Sequence, residues 1–139
     1  MFGWFKRIRR DDPVFGRMLF MGGNVEYWEG KAHFSPTGTE IEFFVDGEAD
    51  SNMKQQHQFY EVVSSRWREL LPQITERVRL ETDFTAGDEL SISSMSIPDA
   101  LFSDHADWEV SFDAEPSGHI WSVQMKGSKP ASVEFDLNC

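Results

Sequence analysis

Residues 51–80, SNMKQQHQFYEVVSSRWRELLPQITERVRL, decide how the rest of the chain must fold. At 100° per residue, Phe59, Tyr60, Val63, Trp67, Leu70, Leu71, Ile74 and Val78 fall within roughly a third of a helical circumference. Glu61, Arg68, Glu69, Thr75, Glu76 and Arg79 fall outside it. Pro72 lacks an amide donor and crowds the carbonyl of Arg68. It lies on the polar side of the wheel, where water can satisfy that carbonyl and a bend can wrap the helix around a core. The expectation is one long, Pro-kinked helix, with two abutting helices as the alternative. Asp50 or Ser51 is placed to cap its start, and Arg77 and Arg79 suit the negative end of its dipole. A stripe this wide needs an apolar partner, and the flanking sequence on both sides reads as strand.

Before the helix, Arg17–Met21, Val25–Phe34 and Thr39–Val45 are separated by Gly22-Gly23-Asn24 and Ser35-Pro36-Thr37-Gly38, both turn-forming. Glu29-Gly30 interrupts the second run. After it, Glu89–Ile97 changes apolar phase between Ile92 and Met95, which predicts a bulge near Ser93-Ser94. Trp108, Val110 and Phe112 then alternate with polar residues, as do Trp121, Val123 and Met125, and finally Val133, Phe135 and Leu137. Short turns favour antiparallel pairing, and strands with one apolar and one polar face belong to a sheet covered on one side. The predicted fold is α+β: an antiparallel sheet of six to seven strands in two meanders, packed on the central helix. Glu109, Ser111, Asp113, Ser122, Gln124, Glu134 and Asp136 would then share an uncovered face carrying four carboxylates and no cation.

The chain has 139 residues, 13 Lys and Arg against 24 Asp and Glu, and a net charge of −11. Four of the cations, Lys6, Arg7, Arg9 and Arg10, lie in the first ten residues, leaving the remainder at −15. Residues 80–125 contain ten acidic side chains and no Lys or Arg. Such a body repels nucleic-acid phosphates and favours a basic protein partner. The bland reading is that acidic surface maintains solubility. Residues 1–12 read as a basic, aromatic leader that is frayed or packed on the sheet, ahead of a single domain over 13–139. No run approaches the ~18 apolar residues of a membrane span, and MFGWFKRIRR is no secretory signal, so a cytoplasmic protein without stable membrane association is expected. The lone cysteine, Cys139, allows no internal disulfide.

Chemistry-bearing motifs are sparse. The serines form no G-x-S-x-G elbow, and no glycine-rich loop opens a helix for phosphate. Of the four histidines, His33 and His119 read as strand residues and His57 as a surface residue on the helix flank. His105, within Asp104-His105-Ala106-Asp107, is the one approach to a metal set, but its spacing matches no standard signature. No cofactor is expected. Trp67, Trp108 and Trp121 have core phase. Trp28 lies opposite Val25 and Tyr27 in its strand and reads as partly exposed, either as an interface anchor or as a packing residue of an edge strand.

Asp12-Pro13-Val14-Phe15-Gly16 before a strand, Tyr27-Trp28-Glu29-Gly30 after a turn, the long helix, the Trp-x-Val-x-Phe strand at Trp108 and Gly118-His119 opening its partner together carry a resemblance. Over most of residues 12–137 the chain resembles small acidic α+β bacterial proteins of unknown function whose relatives recur among immunity proteins of polymorphic toxin systems. These motifs are structural, and the resemblance implies no active residue. It implies a non-enzymatic domain that binds a partner protein. The expectation is an immunity-type inhibitor presenting an acidic face to a basic partner such as a toxin or nuclease-like effector. Its contacts would be Asp107, Glu109, Asp113, Glu115, Glu134, Asp136 and Trp28. Alternatives are a phage or mobile-element inhibitor mimicking nucleic-acid charge, and a small metal-dependent enzyme using Asp104, His105 and Asp107.

Overall fold

The computed structural model describes residues 8–82, 89–115 and 118–136. Eight strands form one sheet whose spatial order is their order in the chain: β1 (Arg9–Asp12), β2 (Gly16–Met21), β3 (Tyr27–Phe34), β4 (Thr39–Asp46), β5 (Glu89–Ile97), β6 (Asp107–Glu115), β7 (His119–Lys126) and β8 (Lys129–Asp136). Every neighbouring pair is antiparallel except β4 and β5, which run parallel with Phe43 opposite Met95. Two four-stranded meanders are thus fused edge to edge, and the parallel seam requires the intervening chain to cross over as helix.

That crossover is two helices, α1 (Lys54–Ser65) and α2 (Trp67–Glu81), and not one. They meet at Arg66 (φ −99°, ψ 5°), six residues before the proline expected to cause the kink. Pro72 lies inside α2 with its ring toward solvent, where the carbonyl it crowds is accessible to water. In the last turn of α1 the Ser64 and Ser65 hydroxyls donate to the carbonyls of Glu61 and Val62, at 3.2 and 2.9 Å. Such back-bonding competes with the helical ladder and bends it. The apolar stripe keeps phase across the junction: Phe59, Val63, Trp67, Leu70, Ile74 and Val78 are all buried. Neither Asp50 nor Ser51 caps the helix. It starts three residues after Ser51, preceded by Met53 in the left-handed region (φ 62°), and the Asn52 carboxamide oxygen accepts the Lys54 N–H at 2.9 Å.

The helices cover one face of the sheet, where Met18, Trp28, Phe34, Phe43, Val45, Met95, Val110, Phe112, Val123 and Met125 complete a single core. The bulge expected at Ser93-Ser94 is present as a register shift between Ile92 and Ser94. Two expectations need correction. The sheet has eight strands because β1 lies inside the stretch read as leader. Trp28 is fully buried, packed on Phe20 at 5.0 Å with its indole N–H donating to the Glu48 carbonyl, so it cannot anchor a partner. Its strand face is the core face; Tyr27, on the other side, is the residue that reaches solvent.

The Asp12–Gly16 segment is a structural corner. The Asp12 carboxylate accepts the Val14 and Phe15 amides, each at 2.9 Å, and lies 2.7 Å from His57 Nε2 on α1. Phe15 is thereby driven into the core against Phe43 and Tyr60. Gly30 makes this possible: a Cβ there would stand 2.6 Å from the Phe15 carbonyl oxygen and 2.9 Å from Met18 Cγ. What looked like a strand interruption is a position where β3 must lack a side chain.

Candidate functional site

With α1 and α2 on one face, strand alternation assigns the other face residue by residue. On β6 it receives Asp107, Glu109, Ser111, Asp113 and Glu115, and on β8 Glu134, which lies opposite Ser122 of β7. Five of the six carboxylates named from sequence are therefore brought onto one surface; the side chain of Asp136, at the end of β8, lies outside the described residues. Glu109 is half-buried and accepts a hydrogen bond from Gln124 Nε2 at 2.7 Å. Asp107 is partly compensated by Lys126, 3.8 Å away, which corrects the expectation that this face carries no cation. Asp113, Glu115 and Glu134 have no ion-pair partner among the described residues.

The surface does not stop at the second meander. Cross-strand register carries it through Ser94 and Ser96 of β5 to Glu42 and Phe44 of β4, then to Glu29 and Lys31 of β3 and Leu19 of β2. Ser111 and Ser122 are buried on this face, their hydroxyls 2.9 Å apart. Small side chains at Ser94, Ser96, Ser111 and Ser122 lower the floor, so that Glu42, Glu109, Asp113 and Glu134 stand above it. Beside this floor, Tyr27, Phe44, Ser94, Ser96 and Glu109 enclose a hollow of about 320 Å³. A second hollow of about 330 Å³ is lined by Leu19, Glu29, Lys31, Glu42 and Phe44, among others. Phe44 sits between the two, half-buried, with Leu19 and Tyr27 as its apolar neighbours on a mainly polar sheet face. Sequence reasoning missed it, although the signal was present: Phe44 is the one apolar side chain in Thr39–Asp46 out of phase with Ile41, Phe43 and Val45.

Tyr27 hydrogen-bonds Glu29 Oε1 at 3.4 Å, and its phenol is pushed above the ordinary tyrosine value by burial first and by the Glu29 charge second. At the corner where β4 leads to α1, Asp46 is also raised, first by desolvation and then by the charge of Asp99. An acid raised in the folded state binds more protons there than in the unfolded chain. Its contribution is therefore most favourable below the unfolded value of 3.8 and declines as pH rises through the folded one. Asp46→Asn is expected to raise the urea midpoint at pH 7 relative to the parent chain, with the gain shrinking toward pH 3. An equal effect at both pH values would contradict the assigned cause.

The Asp104-His105-Ala106-Asp107 run does not gather into a ligand set. Asp104 and His105 are exposed in a turn, Asp107 faces Lys126, and no group of three or more His, Cys, Asp or Glu is placed to hold a metal among the described residues. His57, read as a surface residue, is half-buried against Asp12. No described helix is long and apolar enough to cross a membrane. The chain matches no family model, and neither a curated protein nor a solved structure matches it.

Proposed function

We propose that this chain is a non-enzymatic binding domain of the immunity type, whose uncovered sheet face receives a basic protein partner such as a toxin or nuclease-like effector. The observation that carries this reading is an apolar centre framed by unpaired acid. Leu19, Tyr27 and Phe44 lie among Glu29, Glu42 and Glu109, with Asp113 and Glu134 farther along the same face. None of these five acids has an ion-pair partner among the described residues; Arg17, beside Leu19, is turned to Asp11. Lys31 stands opposite Glu42 in register without closing an ion pair. A desolvated aromatic centre with a charged rim is the layout of a protein interface, in which the anchors hold and the rim steers. The same layout supports the immunity-type reading over nucleic-acid charge mimicry, in which carboxylates spaced like phosphates, and not an apolar centre, would make the contact with the protein partner.

The test begins with a partner captured from the native host on immobilised chain. Raising ionic strength from about 0.01 M to about 1 M contracts the Debye length from about 30 Å to about 3 Å, and should slow association about tenfold or more. The combined variant Glu109→Lys, Asp113→Lys, Glu134→Lys should slow it similarly, while Phe44→Ala should mainly speed dissociation. An association rate indifferent to salt and to the triple reversal would refute the reading.

A further inference from the structure

The two edges of the sheet are finished differently. On β1 every residue is charged, Arg9-Arg10-Asp11-Asp12, and Arg10 folds over the Trp28 ring at 5.5 Å while bonding the Ser51 carbonyl at 2.5 Å. Such charge blunts an edge against foreign strands. On β8 the backbone is protected only at its beginning, and Glu134 is the one charge between Ser132 and Phe135. Pro130 has no amide to offer, and Arg77 of α2 donates to the carbonyls of Pro130 and Ala131, at 3.5 and 2.8 Å. From Ser132 to Phe135 the strand pairs with β7 alone, and its outward backbone groups have no strand partner among the described residues.

That open stretch borders a part of the core face that the described residues roof incompletely. Beyond the last turn of α2, a hollow of about 470 Å³ is lined by Leu80, Glu81, Thr82, His119, Trp121, Val133 and Phe135. Leu80 is 73% exposed and Phe135 43%, two of the few large apolar side chains left open to solvent. The rings are already assembled: Phe135 lies 4.6 Å from Trp121 and 4.9 Å from His119. Trp121 is only 5% exposed, yet its indole N–H has no hydrogen-bond partner among the described residues. A buried donor left unsatisfied is costly and calls for an acceptor. On the opposite face of β8 stands Glu134, exposed and without an ion-pair partner among the described residues.

We propose that Ser132–Phe135 of β8 is a strand-addition site for an extended peptide segment of alternating apolar and basic residues. The segment becomes a ninth strand. Its backbone pairs with the open edge, its apolar side chains enter the Leu80–Trp121–Phe135 hollow, and its cations reach Glu134 on the carboxylate face. A second copy of this protein is the weaker fit, since two acidic chains, each of net charge −11, would meet edge to edge with a glutamate on each. In its choice of a basic segment this inference rests on the reading of the carboxylate face above.

The probe is a synthetic seven-residue peptide alternating lysine and valine, titrated into the full chain while backbone and indole N–H resonances are followed by heteronuclear NMR. Shifts are expected at Ser132–Phe135 and at the Trp121 indole. The same peptide N-methylated at every backbone amide keeps its charge but cannot donate to the edge in either strand direction, and should bind about tenfold more weakly or worse. Phe135→Ser and Glu134→Gln should each weaken the unmethylated peptide, and a glutamate-valine peptide should not bind. Equal binding of the methylated peptide would overturn strand addition, as would concentration-dependent β8 shifts without peptide, which would identify a second copy as the occupant. Shifts confined to Glu42, Phe44 and Glu109 would also overturn it while leaving the carboxylate-face reading intact. Methylation-sensitive addition at β8 would uphold it even if the captured partner associated without regard to salt.

Discussion

Asp12→Ala is expected to lower the free energy of unfolding by about 3–4 kcal/mol, the range for removing one member of a buried, hydrogen-bonded polar cluster. The carboxylate is 99% sequestered, with a side-chain exposure of 1%, and holds three partners from two elements: the amides of Val14 and Phe15 and the imidazole of His57. Without it, two amides at the β1–β2 corner lose their acceptor, and Phe15 loses the turn that inserts it beside Phe43. Asp12→Asn retains one acceptor oxygen and should cost about half as much. His57→Ala removes only a partly exposed partner and should cost about 1 kcal/mol. Urea denaturation of the three variants decides the matter. A loss below about 1 kcal/mol for Asp12→Ala would mean that the corner holds without its carboxylate.

Trp67 is the second position where a large effect is expected, for a different reason. It opens α2 immediately after the bend and touches both meanders, meeting Phe34 of β3 edge-on at 4.9 Å and stacking on Phe112 of β6 at 6.3 Å. Trp67→Ala should cost about 3–5 kcal/mol through lost burial and the cavity left between the halves. Trp67→Phe should cost much less than its volume change suggests. The indole N–H of Trp67 has no partner among the described residues, and phenylalanine removes that unsatisfied donor along with the extra ring. Thermal or urea unfolding of both variants tests the pair. A Trp67→Phe loss in full proportion to the volume removed would show that ring volume alone matters and that the unpaired N–H costs nothing.

Much of this arrangement was legible because side-chain period survives wherever one face is buried. Val123 and Trp121 on β7, Val133 on β8 and the stripe from Phe59 to Val78 all take the faces that alternation or helical pitch assigns them. The bulge beside Ser93 could be read from a slip in that same alternation. What could not be read lacks such a period. β1 is held by backbone pairing to β2, and its four charged side chains carry no apolar signal. The bend at Arg66 arises where serine hydroxyls compete for carbonyls, a local contest that the more conspicuous proline obscured. Trp28 was misplaced because its exposure depends on Arg10 and Phe20 closing over it from neighbouring strands. The carboxylates of β6 and β8 were legible from alternation alone. Phe44 was visible as an out-of-phase apolar residue, but its central place on that face required knowing that β4 lies at the middle of the sheet, beside a strand from the other half of the chain.

The parallel seam between β4 and β5 also bears on how the chain is made. Phe43 pairs with Met95, a residue synthesised 52 positions later, so β4 leaves the ribosome with one side bare and waits for both helices and β5 before it is covered. Hairpins close in microseconds, whereas a strand pair this distant in sequence is slow to join. During that interval the nascent first meander presents a temporary ragged border to other chains. Glu40, Glu42 and Asp46 then act as chaperoning charges, spoiling any flat, apolar stacking partner until the proper neighbour arrives.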